Sequence, residues 1–178
     1  HQGGGDKSGS IDDNIRGAIT NFADYHLAGN VDSALRLRQM GMPKSKIFML
    51  GEPGLDDIKY KEFLTPEHIY QSYNIDSNKK LILAVHHPDT KEKMSPEKQI
   101  IPVLQAIKNL ETQTILIYPN NDPGGLKMIK EIEKYRKLSF LKIYSSLPRQ
   151  DYLGVMKVCD LALGNSSSGL TETTLFNI

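Results

Sequence analysis

Apolar positions in this chain fall into short runs separated by longer amphipathic stretches, and that alternation predicts its elements. LILAV (Leu81 to Val85), TILIY (Thr114 to Tyr118), FLKIY (Phe140 to Tyr144) and DLALG (Asp160 to Gly164) read as buried strands. After the first of them, Ser95 and Pro96 make a cap and first-turn pair for a helix with Ile100, Val103, Leu104, Ile107 and Leu110 on one side. Leu126, Ile129 and Ile132 mark the next helix, and Tyr152 to Val158 form the one before the last strand. Apolar strands spaced by helices imply an α/β fold with a parallel sheet covered on both faces. Beyond the last strand the chain reads as a further helix from about Leu170.

The first third is less regular. Ile15, Ile19 and Phe22 are spaced to share a helix face, an apolar run ends at Gly29, Asp32 to Met40 is helical in character, and KIFML reads as a strand closed by Gly51. GEPGLDD is the best candidate for a hinge, which places a boundary near Gly51 to Asp57 and divides the chain into 1–52 and 53–178.

Composition narrows the class. With 39% apolar and 24% charged residues the 178-residue chain is of globular type, and it has no apolar run of membrane-spanning length. The 22 basic and 21 acidic residues nearly cancel and form no basic stretch with interleaved aromatics, which argues against a nucleic-acid binder. Cys159 is the only cysteine, so no disulfide forms within the chain and a reducing compartment fits best. No signal peptide is visible, and no His, Cys and carboxylate cluster has zinc-like spacing.

Candidate chemistry collects at the carboxyl ends of the strands, where a parallel sheet binds its ligands. Those ends carry His86-His87-Pro88, Asn120-Asn121-Asp122, Ser145-Ser146 and Asn165-Ser166-Ser167-Ser168-Gly169. The serine turn before a helix start suits a phosphate, or is an ordinary capping turn. Glu172 is either a local cap partner or an acceptor for ribose hydroxyls. His86 and His87 point to opposite faces of an extended chain, so only one of them can face a ligand; the other reading is a satisfied histidine at a strand end. Asp12 and Asp13 precede Arg16; they either complement a helix start or supply a proton-transfer carboxylate balanced by Arg16. The run Gly3-Gly4-Gly5 permits close backbone approach but is not a dinucleotide fingerprint.

Taken together, HQGGGDKSGSIDDNIRGAIT, ADYHLAG, KIFMLGEPGLD, VHHPDT, IYPNNDPGG, SLPRQDYLGVMKVCDLALGNSSSG and Glu172 resemble the UDP-N-acetylglucosamine 2-epimerases, and within them the hydrolysing branch. The resemblance implies two Rossmann-like domains of the B-type glycosyltransferase architecture, here the end of the first and most of the second. It implies a homo-oligomeric cytoplasmic enzyme acting on a UDP-sugar, with no cofactor, metal, nucleic acid or membrane partner. The implied reaction removes the C2 proton, eliminates UDP in the anti sense and hydrates the resulting glycal to free N-acetylmannosamine or a related sugar. By correspondence, Asp12 transfers a proton, His1 orients the substrate or the acid–base group, and Arg16 matches the family's arginine. His87 falls near the diphosphate, Ser166, Ser167, Ser168 and Gly169 form the phosphate-binding turn, and Glu172 holds the ribose.

Three positions depart from that pattern: Gly3 replaces a glutamate, Gly17 a histidine and Asp24 another histidine. Gly3 cannot transfer a proton, so Asp6 is the neighbour that would compensate, or the substrate is a related UDP or GDP sugar. The alternatives are a non-hydrolysing epimerase, a nucleotide-sugar-binding module without turnover and a B-type glycosyltransferase.

Overall fold

The computed structural model describes residues 1–5, 12–60, 64–176 and 178, so Asp6 and the stretch through Ile11 lie outside the described residues. The chain forms two compact units, His1–Tyr60 and Lys61–Ile178.

In the first unit, α1 (Asp12–Phe22) is followed by β1 (His26–Ala28), α2 (Val31–Gln39) and β2 (Ile47–Met49). The two strands pair in parallel, and Gln2 adds a parallel bridge to Leu27. α2 starts where Asn30 caps it, its side chain accepting the Ser33 amide at 2.8 Å. Ala28 and Leu37 are fully buried between these elements. The helix expected here is present as α1, but Ile15, Ile19 and Phe22 are all exposed, Phe22 at 88%, and the buried residue is Thr20. The 3.6-residue period fixed which side chains share a face; it carries no information about what covers that face. A short helix, α3 (Asp56–Tyr60), ends the unit.

The second unit contains α4 (Pro66–Ser72), β3 (Leu81–Val85), α5 (Pro96–Leu110), β4 (Gln113–Ile117), α6 (Gly125–Glu133), β5 (Leu141–Tyr144), α7 (Arg149–Val158), β6 (Leu161–Gly164), α8 (Ser168–Thr171) and α9 (Thr173–Phe176). Its four strands are parallel in the order β5-β4-β3-β6. Successive strand residues serve opposite faces. Leu81, Leu83, Ile115 and Ile117 pack with Ile69 of α4 and Val155 and Met156 of α7, whereas Ala84, Leu116 and Leu141 pack with Ile100, Leu104 and Ile107 of α5 and Met128 and Ile132 of α6. Both faces are therefore covered, which is why LILAV is apolar throughout instead of alternating.

Three details differ from the pattern. Leu110, placed with the core face, is 56% exposed because it occupies the last turn of α5, before Glu111 leaves the helix in the left-handed conformation at φ 49°. Leu126 is 78% exposed and Met128 takes the buried position, so the inward face of α6 is Met128 and Ile132 with Ile129 at its margin. The single helix expected from Leu170 is two short pieces, α8 and α9, separated at Glu172.

Candidate functional site

Because β4 and β5 lie on one side of β3 and β6 on the other, the chain reverses its direction of travel across the sheet between β3 and β6. Loops leaving the carboxyl ends of strands diverge at such a point and open a crevice. The loop after β3 carries His87, and the loop after β6 carries Asn165 to Ser167, with Ser168 opening α8. Gly164 is required here. It has φ 145°, and a Cβ on it would come within 1.7 Å of the Val85 carbonyl oxygen, so no other residue allows β6 to lie this close to β3.

Asn165 ties the two loops together. Its carboxamide oxygen accepts the His87 amide at 2.7 Å and its Nδ2 donates to the His87 carbonyl at 2.9 Å. The His87 ring is held from the next loop, its Nδ1 accepting the Asn120 amide at 3.1 Å. An accepting Nδ1 puts the ring proton on Nε2 and makes that nitrogen a donor. Burial pushes the His87 pKa below its ordinary value, with Asp122 acting in the opposite sense. His86, the other member of the pair, lies outside the cleft, and its buried Nδ1 has no partner among the described residues.

His87, Ser166, Ser168 and Glu172 line one cleft of about 570 Å³ at this end of the sheet. Ser167 lies outside that lining, and Gly169 lines a neighbouring, mainly apolar cleft of about 440 Å³ beside β6. The amides of Gly169 and Leu170 are committed within the turn, donating to the Ser166 and Ser167 carbonyls at 3.0 and 2.9 Å. α8 is also too short to carry a sizeable dipole. What the turn offers an anion is therefore its hydroxyls, in a chain that runs from Tyr152 Oη to Ser168 Oγ (2.6 Å) and on to Ser166 Oγ (2.9 Å).

Two lining residues on the first turn of α7 were not singled out from the sequence: Arg149 and Tyr152. Arg149 pairs with Glu172 at 2.5 Å, where the Glu172 side chain is only 12% exposed. The apolar pattern starts this helix only at Tyr152 and leaves Arg149 outside it, and the link of the two residues to Glu172 and Ser168 exists only once α7 packs beside α8 and α9. Asp151, between them, accepts from the Tyr73 hydroxyl and anchors α7 to the end of α4.

In the first unit a separate cleft of about 360 Å³ is lined by His1, Gly3, Gly4, Asp13, Arg16 and Arg36 among others. Asp13 pairs with Arg16 at 3.0 Å and its side chain is 11% exposed. Asp12 is on the same turn but exposed and outside the lining. Gly4 packs against Ser33, leaving 2.2 Å between that side chain and a Cβ built on Gly4, and its carbonyl accepts from Arg36 Nε at 2.9 Å. A Cβ on Gly3 would stand 2.5 Å from His1 Nε2, so a side chain there displaces the imidazole. Asp24, one of the departures, pairs loosely with Lys46 at 3.7 Å. Among the described residues no group of three or more His, Cys, Asp or Glu is placed to hold a metal ion.

The chain is 35% identical over all 178 residues to a protein of Legionella pneumophila described as UDP-N,N'-diacetylbacillosamine 2-epimerase (hydrolyzing), and covers 47% of that protein's length. It thus spans about half the length of such a relative. The structure of UDP-N-acetylglucosamine 2-epimerase from Rickettsia bellii superposes with a TM-score of 0.72 at 17% identity, over 100% of this chain and 47% of the other. The Neisseria meningitidis UDP-GlcNAc 2-epimerase bound to UDP-GlcNAc gives 0.68 at 16% identity, over 88% and 43%. At those identities the likeness establishes an α/β Rossmann-like fold and nothing finer. The sequence profile of the family described as UDP-N-acetylglucosamine 2-epimerase matches residues 1–178, and the chain belongs to that family.

Proposed function

We propose that this chain is part of a hydrolysing 2-epimerase that converts UDP-N-acetylglucosamine, or a related UDP-acetamido sugar, to UDP and the free 2-epimeric sugar. The observation that carries the reading is the convergence of His87, Ser166, Ser168 and Glu172 on one cleft at the β3–β6 crevice. An imidazole Nε2–H and serine hydroxyls are neutral donors for diphosphate oxygens, and a carboxylate held by Arg149 accepts from ribose hydroxyls. The Legionella relative's description favours the hydrolysing branch.

The reaction makes three demands. A base takes the proton from C2; the C1–O bond breaks and its electron pair leaves with the diphosphate; water then supplies hydroxyl to C1 and a proton to the opposite face of C2. Donors fixed before reaction stabilise the departing diphosphate without reorganising, which is the contribution we assign to His87 and the serine turn. We assign proton transfer to Asp12, with Asp13 holding Arg16 and with His1 as the orienting group. The domain reading belongs to the same proposal: 1–52 as the end of a first Rossmann-like domain and 53–178 as most of a second.

The test is chromatographic separation of products from the full-length protein incubated with UDP-N-acetylglucosamine. Release of UDP and free sugar in equal amounts supports hydrolysis. An epimerised sugar still joined to UDP moves the protein to the non-hydrolysing branch, and UDP binding with neither product makes it a binding module.

A further inference from the structure

The hydroxyl chain at the serine turn has a direction. Each hydroxyl has one proton to donate, and three of them, Tyr152, Ser168 and Ser166, stand in line at 2.6 and 2.9 Å. A phenol is a stronger acid and a poorer acceptor than an aliphatic alcohol, so Tyr152 belongs at the donating end. Burial raises its pKa further and keeps the proton on it. Ser168 then accepts from Tyr152 and donates to Ser166, which leaves the Ser166 proton for a ligand in the cleft both serines line.

We infer that Tyr152 is a positioning residue for the anion-binding turn: its hydroxyl orients Ser168 and, through it, turns the Ser166 hydroxyl proton toward a phosphate oxygen. The inference rests on the nucleotide reading above and adds to it a lining residue whose hydroxyl acts on the ligand through the two serines. It also explains why a turn whose Gly169 and Leu170 amides are internally committed still suits an anion. Without the phenol the serine pair can donate in either direction, and when Ser166 donates to Ser168 its proton is not available to the ligand. The ring itself packs against the core formed by α4, α7 and the sheet, so a phenylalanine keeps the packing and removes only the hydroxyl.

The experiment is titration calorimetry of the full-length protein with UDP and with uridine, on wild type, Tyr152→Phe, Ser168→Ala and the double variant. Tyr152→Phe is expected to weaken UDP roughly fivefold, the loss of about one neutral hydrogen bond, and to leave uridine, which has no phosphate, unchanged. In the Ser168→Ala background the same change is expected to add nothing, because the chain is already cut. Unchanged UDP affinity in Tyr152→Phe, equal losses for UDP and uridine, or additive losses in the double variant each overturn the inference while leaving nucleotide binding intact. A wild-type protein that does not bind UDP overturns the nucleotide reading, and this inference falls with it.

Discussion

His87 illustrates how a single side chain acquires its role from groups distant in sequence. Asn120, 33 residues later, sets its tautomer, and Asn165, 78 residues later, fixes its backbone. Strand-end polarity alone marked His86 and His87 as candidates, but which of them faces the cleft follows from β3 ending at Val85. His87→Ala is expected to weaken UDP binding about tenfold, and His87→Gln, whose carboxamide nitrogen stands near the Nε2 position, to recover part of the loss; equal affinity for all three proteins would remove His87 from the site. The carboxylates of α1 call for the opposite readout. Asp12→Asn is expected to lower turnover by about two orders of magnitude, the loss of one acid–base group, with UDP affinity unchanged. Since it is Asp13 that lines the cleft, a loss of turnover confined to Asp13→Asn would transfer the proton-transfer role to that residue.

At the scale of elements, what was legible was what has a period. The four strands are where the apolar runs place them to within a residue, and the helices follow between them, with α7 starting three residues before the expected Tyr152, because a two-sided parallel sheet needs largely apolar strands and each covering helix needs a stripe. What the period omits is depth: Leu110 and Leu126 lie outside the core and Met128 inside it, and the choice among them is made by where α5 ends and how α6 lies on it. The same limit hid Arg149 and Tyr152, whose importance comes from packing between helices. Two substitutions measure the elements. Leu104→Ala removes a fully buried side chain from the α5 face and is expected to cost about 3 kcal/mol in denaturant unfolding. Gly164→Ala, by forcing β6 from Val85, is expected to cost a comparable ~3 kcal/mol and, unlike Leu104→Ala, to weaken UDP binding in the fraction that remains folded. A Gly164→Ala protein as stable as wild type would show that the close approach of β6 and β3 is not needed.

For the whole molecule, the histidines set the response to acid. Burial, the largest cause in each case, holds His26, His86 and His87 below the ordinary value of 6.5. The unfolded chain therefore binds protons first as pH falls, so stability is fully present above about pH 6.5 and declines through the folded-state values. Melting temperature should thus fall between about pH 7 and pH 5, before the carboxylates respond; Glu133, held down to about 2 by Arg136 and Tyr118, contributes only in stronger acid. A flat melting temperature across that interval would mean that the three imidazoles are as free to protonate in the folded protein as in the unfolded chain. No helix among the described residues is long and apolar enough to cross a membrane.

The most direct test of the proposed chemistry is mass spectrometry of the reaction of the full-length protein with UDP-N-acetylglucosamine in heavy water. Elimination followed by hydration predicts UDP and a free 2-epimeric sugar in equal amounts, with one non-exchangeable deuterium at C2 of the sugar. Free sugar that retains its original C2 hydrogen, or nucleotide bound with no sugar released, would contradict that account.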